Sequence, residues 1–216
     1  MRTIIHVLGY LVVLTTAVVL SISSRPIVSE TGRENLAFAI YRQFPMAERL
    51  VCAGRGHRSS LEADTLALTI AIADVESYAR PGWVRFLKDL YLATHQLTFS
   101  QFPDMSSGPA QIRITNIKRI AGLADPASIG LVLNECDNIS VAYCLVSELR
   151  DGRPLTADNV AAIARSYNGQ TRSAKAEASL QYVDLIQRIF ILTKIELDNL
   201  PVAGWEFGVA PRHICL

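Results

Sequence analysis

The chain has 216 residues, with 21 Lys+Arg against 20 Asp+Glu and a formal net charge of +1. Half of it is apolar and 19% is charged, which excludes a disordered chain. The balanced charge, with no Lys/Arg block, excludes nucleic acid as the main partner. The length suits one globular domain with an appendage.

The appendage comes first. Ile4 to Ile22 is a run of 19 residues without a charge, and a helix needs roughly 20 apolar residues to cross a bilayer core. Arg2 and the α-amino group precede it, which favours a cytoplasmic amino end. Ser21-Ile22-Ser23 is a small-x-small sequence of the kind signal peptidase cuts. The run is longer than the usual cleaved segment, so residues 1–25 are expected to be a signal anchor, with a cleaved signal peptide as the alternative. Both readings place residues 26–216 beyond a membrane. The four cysteines, Cys52, Cys136, Cys144 and Cys215, fit an oxidising compartment, and their three pairings stay open. On one continuous helix Cys136 and Cys144 would lie ~12 Å apart, too far to bridge, so that pair requires a bend near Asp137. Neither CxxC nor clustered histidine occurs, and no metal or cofactor is expected.

Past Pro26 the pattern is helix after helix, without an internal repeat. Residues 26–47 read as a connecting helix and linker, with helical spacing from Glu30 to Cys52 broken by Pro45. Residues 48–200 form the main domain and 201–216 a tail. Ser59 with Glu62 makes a capping-box signature ahead of LEADTLALTIAIADVES, which stops before Pro81-Gly82. A short helix follows in VRFLKDLYLATH, then a polar stretch from Thr98 to Gly108. Asn116–Ala124 and Pro126–Leu133 read as brief helical pieces, and Ile139–Leu149 as a one-faced helix. Thr156 opens VAAIARSY, and Ala174–Leu197 is a long amphipathic helix. The predicted fold class is all-α, with room for one small β-hairpin in 96–112.

Glu76 is the leading catalytic candidate. It ends a helix so apolar that burial on most sides is expected. A helix C-terminus disfavours negative charge, and apolar walls do so by desolvation; such surroundings suit a group that donates a proton. Ser106-Ser-Gly-Pro-Ala-Gln111 is a small-residue loop delivering one amide side chain. Ile163-Ala-Arg-Ser-Tyr167-Asn168-Gly169 ends a helix on Tyr-Asn-Gly, with Gly169 in the C′ role.

Taken in order, Glu76-Ser77, S-x-G-x-x-Q and A-x-x-Y-N-G resemble the motifs of lytic transglycosylases of the soluble-lytic-transglycosylase type, which have a goose-lysozyme-like fold. Asp125-Pro126, Asp137-Asn138-Ile139, Ala142-Tyr143-Cys144-Leu145 and Tyr182-Val183 are similar to further stretches of that family, and the resemblance covers roughly residues 48–195. It implies a lysozyme-like helical domain that cleaves the bond between N-acetylmuramic acid and N-acetylglucosamine in peptidoglycan, with a 1,6-anhydro product. It also implies Glu76 as the catalytic acid and base, Ser77 as the group orienting it, and Gln111, Tyr167 and Asn168 as substrate-binding residues. The implied location is the bacterial inner membrane, single-pass through residues 4–22, with the domain in the periplasm, or secretion after signal cleavage. A gap-opening role beside an envelope-spanning assembly fits such an anchor. The departures are a wider spacing from Glu76 to Gln111, with the excess in 80–105, and Pro109-Ala110 where the family has Leu-Met. Asp74 lies two residues from Glu76 and points roughly 200° away around the helix. Asp104, in the insertion, is the remaining candidate second carboxylate. A hydrolytic muramidase and a membrane-anchored structural component of an envelope-spanning assembly are the alternatives.

Overall fold

The computed structural model describes residues 30–43, 60–78, 86–92, 104, 106–122, 134–168 and 176–199. Among these, helices dominate: α1 (Glu30–Gln43), α2 (Ser60–Tyr78), α3 (86–92), α4 (Ile114–Ala121), α5 (Glu135–Arg150), α6 (Ala157–Tyr167) and α7 (Ala176–Asn199). One two-stranded antiparallel ribbon, β1 (Ser106–Ser107) and β2 (Ile112–Arg113), precedes α4. Among the described residues the chain is therefore all-α with one small hairpin, placed at the end of the span where the sequence leaves room for one. The apolar run 4–22, the Ser59 cap, the piece at 126–133, Gly169 and the tail lie outside the described residues. Among the described residues, no helix is long and apolar enough to cross a membrane.

α2 is the central element. Every residue from Thr65 to Ser77 is buried, because α7, α5 and α1 all pack on it. A helix enclosed this way needs no amphipathic stripe, which is why LALTIAIA is apolar all round. Its buried threonine hydroxyls have partners: Thr69 donates to the Thr65 carbonyl at 2.8 Å, and Thr65 Oγ1 accepts from Arg150 at 2.7 Å. The second bond ties the end of α5 to the start of α2. Outside the core, Arg188 joins Asp184 and Glu34, and Arg33 joins Asp184, linking α7 to α1.

The helix ends follow local chemistry. Asn134 caps α5 by accepting from Asp137 N at 3.0 Å, with Glu135 and Asp137 in the first turn facing the positive end of the dipole. Thr156 caps α6 through Asn159 N. Gly122 closes α4 in the left-handed region, at φ 60°.

Among the described residues, the apolar interior divides into two clusters. One joins α1, α2, α5, α6 and α7 around Leu66, Ile70, Ile139, Val146, Tyr182 and Ile186. The other joins the hairpin, α3, α4 and the outer side of α5 around Leu92, Ile112, Ile117, Val141 and Leu145. Tyr167, the last residue of α6, packs against both, so the candidate site lies on the seam.

α5 runs unbroken through both its cysteines. Cys136 and Cys144 are each disulfide-bonded, and eight residues on a straight helix separate them by ~12 Å. The bend near Asp137 that a mutual bond requires is absent, so each pairs elsewhere. Cys52 and Cys215 lie outside the described residues.

Candidate active site

The site begins at the carboxyl end of α2. Glu76 is only 3% exposed, and the Tyr182 hydroxyl, from the second turn of α7, donates to its Oε1 at 2.8 Å. Tyr182 is itself buried, so this bond forms inside the core and holds the carboxylate in one orientation. The next residue, Ser77, turns the other way, and its hydroxyl donates to the Pro109 carbonyl at 3.1 Å. Adjacent residues of α2 thus engage α7 on one side and the hairpin loop on the other.

That loop, Gly108-Pro109-Ala110-Gln111, is a tight turn closed by Gln111 N donating to Gly108 O at 3.2 Å. The ribbon register, Ser106 opposite Arg113 and Ser107 opposite Ile112, leaves these four residues to make the reversal. Pro109 takes the turn position its fixed φ suits. Gly108 is required twice over: its φ is +74°, and a Cβ there would lie 2.4 Å from the Asn138 side chain. Asn138 comes this close because its Oδ1 accepts from Ala110 N at 3.0 Å. It is fully buried on α5 and clamps the loop from behind, while the Tyr167 hydroxyl donates to Ala110 O at 2.8 Å from the α6 side. Three helices therefore grip the loop through its backbone at Pro109 and Ala110.

The loop ends on Gln111 with φ +50°, an uncommon conformation for a residue with a side chain. Such local strain persists only where the surroundings over-determine it. Here Gln111 Nε2 donates to Gly108 O at 2.6 Å, and Oε1 accepts from Lys88 of α3 at 3.3 Å.

These elements enclose a pocket of ≈ 130 Å³ lined by Glu76, Gln111, Tyr167 and Asn168, with Arg113 and Asn116 at the α4 side and Ser106, Ile112 and Leu145 completing the wall. It is smaller than the ~300–1,000 Å³ of a whole ligand site, about the size for the reacting part of one sugar ring. Glu76, Gln111, Tyr167 and Asn168, four of the five residues singled out in the sequence, meet here. Ser77 does not line the pocket and instead ties α2 to the loop. Burial pushes the Tyr167 hydroxyl well above its ordinary value, and the negative charge of Glu76 adds to the shift. The phenol therefore stays protonated beside the carboxylate.

Of the other carboxylates, Asp74 is buried in α2 and not part of the wall. Asp104 accepts from Thr115 N and Oγ1 at 3.2 and 2.8 Å and lies 3.6 Å from Arg113. It serves the amino end of α4, where a negative charge is favoured. Glu76 is the only carboxylate among the described lining residues. None of these residues groups with enough His, Cys, Asp or Glu to hold a metal ion.

Sequence reasoning passed over Arg113 and Asn116, although they stand three apart where the ribbon enters α4 and so share a face. Asn138 and Tyr182 entered only within stretches similar to the family, because neither the loop clamp nor the carboxylate contact is visible until α5 and α7 are packed. Comparisons with family models, with curated proteins and with solved structures return no match to this chain.

Proposed function

We propose that the chain is a peptidoglycan lytic transglycosylase with a lysozyme-like helical domain. The observation that carries this reading is Glu76, a carboxylate almost closed off from solvent that nevertheless lines a pocket, held by Tyr182 and sharing that pocket with Gln111, Asn116 and Asn168. Glycosidases of the ordinary kind use two carboxylates, one as acid and one as base or nucleophile. The described lining residues supply one, which favours a nucleophile taken from the substrate.

The chemistry then runs within the glycan. Glu76 gives its proton to the oxygen between N-acetylmuramic acid and N-acetylglucosamine as the bond to C1 breaks. The oxygen of the muramoyl N-acetyl group bonds to C1 and holds the positive charge. Glu76, now a carboxylate, takes the proton of the 6-hydroxyl, whose oxygen displaces the acetamido oxygen from C1. The 1,6-anhydro ring closes, the acid is regenerated, and no water is consumed. The amides provide donors and acceptors for hydroxyl and acetamido groups, while Tyr167 remains a neutral donor that keeps the loop in place. Residues 4–22 anchor the chain in the inner membrane with the domain in the periplasm, confining its action to glycan near the membrane.

Digestion of purified sacculi by the full-length chain, with products read by mass, tests the reaction. Anhydro-muropeptides, one water lighter than hydrolytic products, are expected from the wild type. Glu76→Gln keeps shape and hydrogen-bonding capacity but removes the proton donor, and should release none while remaining folded. Reducing-end products would assign a water-using muramidase instead. Intact sacculi under the wild type would leave a structural role in an envelope assembly. Cell fractionation tests the anchor: a soluble species shorter by ~23 residues, the length to the small-x-small sequence, would remove the confinement.

A further inference from the structure

Lys88 lies in the segment that separates Glu76 from Gln111, on α3, and it reaches the hairpin. Its ammonium donates to Ser106 O at 3.1 Å and to Gln111 Oε1 at 3.3 Å. The first contact holds strand β1, and the second holds the amide side chain at the far end of the same loop. A lysine ammonium has donors and no acceptor, while Gly108 O, on the other side of that amide, can only accept. The two neighbours therefore admit one orientation of the Gln111 carboxamide, with oxygen toward Lys88 and nitrogen toward Gly108. Amide orientation is often ambiguous, but not between a pure donor and a pure acceptor. The left-handed backbone at Gln111 narrows the rotamers open to the side chain.

We infer that Lys88 is a positioning residue that fixes the polarity of Gln111, so that the site offers the substrate an N–H donor at this point and selects a ligand oxygen that accepts. Gln111 Nε2 has two hydrogens. One is used on Gly108 O, and the other remains for the pocket that Gln111 lines. On a strand of N-acetylated sugars the strongest neutral acceptor is the acetamido carbonyl oxygen, so Lys88 sets the preference for N-acetylated rings. The inference rests on the transglycosylase reading for its substrate and on the Lys88–Gln111 contact for its mechanism, and the two can be tested apart.

The full-length chain and its Lys88→Met and Lys88→Arg variants would be compared in three measurements. The first is the side-chain amide resonance of Gln111 by NMR in detergent. It should be shifted and sharp in the wild type, move toward free-amide values in Lys88→Met, and return in Lys88→Arg. The second is binding of tri-N-acetylchitotriose against cellotriose, which has the same linkage without acetamido groups. The wild-type preference should fall about tenfold in Lys88→Met, the size of one lost hydrogen bond, and recover in Lys88→Arg. A merely structural lysine would weaken both sugars together and leave the ratio alone. The third is sacculus digestion, where Lys88→Met should raise KM with kcat little changed, as for an interaction made equally before and during reaction. An unchanged amide resonance, or an unchanged binding ratio in a folded Lys88→Met protein that binds the N-acetylated sugar, overturns the inference. A wild type that neither digests sacculi nor binds that sugar overturns the transglycosylase reading and the sugar preference, while the resonance still decides the Lys88 contact.

Discussion

Two glycines with the same backbone sign isolate the loop clamp. Gly108 has φ +74° and Gly152 has φ +68°, so replacing either with alanine imposes a left-handed conformation costing roughly 1–2 kcal/mol. A stiffer unfolded chain returns about 0.4–1 kcal/mol of this. At Gly152 nothing lies within 4 Å of the new Cβ, and the net cost should be about 1 kcal/mol. At Gly108 the Cβ would stand 2.4 Å from Asn138 Cγ and Nδ2. Asn138 is fully buried and cannot swing into solvent, so its bond to Ala110 N must break. An unsatisfied buried amide adds roughly 1–3 kcal/mol, bringing Gly108→Ala to about 3 kcal/mol. Urea unfolding followed by circular dichroism gives both values, with an unchanged slope showing that stability alone has moved. Gly108→Ala should also lose sacculus cleavage, because Gln111 and the Tyr167 contact hang on this loop, whereas Gly152→Ala should keep it. If the two variants agree within about 0.5 kcal/mol, the error expected for independent sites, Asn138 does not clamp the loop and the account of the site's rigidity is wrong.

Tyr182→Phe should cost about 1–3 kcal/mol in urea, since a buried carboxylate loses its hydroxyl donor, and should slow cleavage; an unchanged rate would show that α7 does not position Glu76. The raised Tyr167 value has a definite sign. Below pH ~10, the ordinary tyrosine value, the phenol is protonated in both folded and unfolded chains, and its contribution is fully present. As pH rises further, the unfolded chain loses this proton while the folded one keeps it, so stability falls. Alkaline titration at the tyrosinate absorbance should show phenol that ionises only as the fold is lost, and Tyr167→Phe should lower that amplitude by one tyrosine. Peptide mapping without reductant should never find Cys136 joined to Cys144. With four cysteines in the chain, each crosslink should carry Cys52 or Cys215, and a fragment joining 136 to 144 would contradict the unbroken α5.

What the sequence determined by itself was everything that depends on near neighbours. The helical periods of α2, α6 and α7, the Thr156 cap and the turn residues at Gly108-Pro109 are set within a few residues, because capping and side-chain period act over one or two turns. The all-round apolarity of LALTIAIA marked α2 as enclosed, and Glu76 at its end stood out for the same reason. The tertiary structure decided the contacts between distant segments. Tyr182 reaches Glu76 across 106 residues, Tyr167 reaches Ala110 across 57, and Asn138 reaches Ala110 across 28. A tyrosine in an amphipathic helix is an ordinary core residue until its hydroxyl has a buried acceptor to meet, and an asparagine amid apolar neighbours is unexplained until a loop amide arrives. The Asn134 cap, which starts α5 ahead of Ile139, is by contrast a local signal that apolar spacing alone does not register. Lys88 belongs with the distant contacts: in the sequence it is one of many charges on a short helix, and only the packing of α3 against the hairpin places its ammonium between Ser106 and Gln111. Hydrogen bonds between elements need both partners within about 3 Å, a condition that no local pattern carries and that the packed helices alone supply.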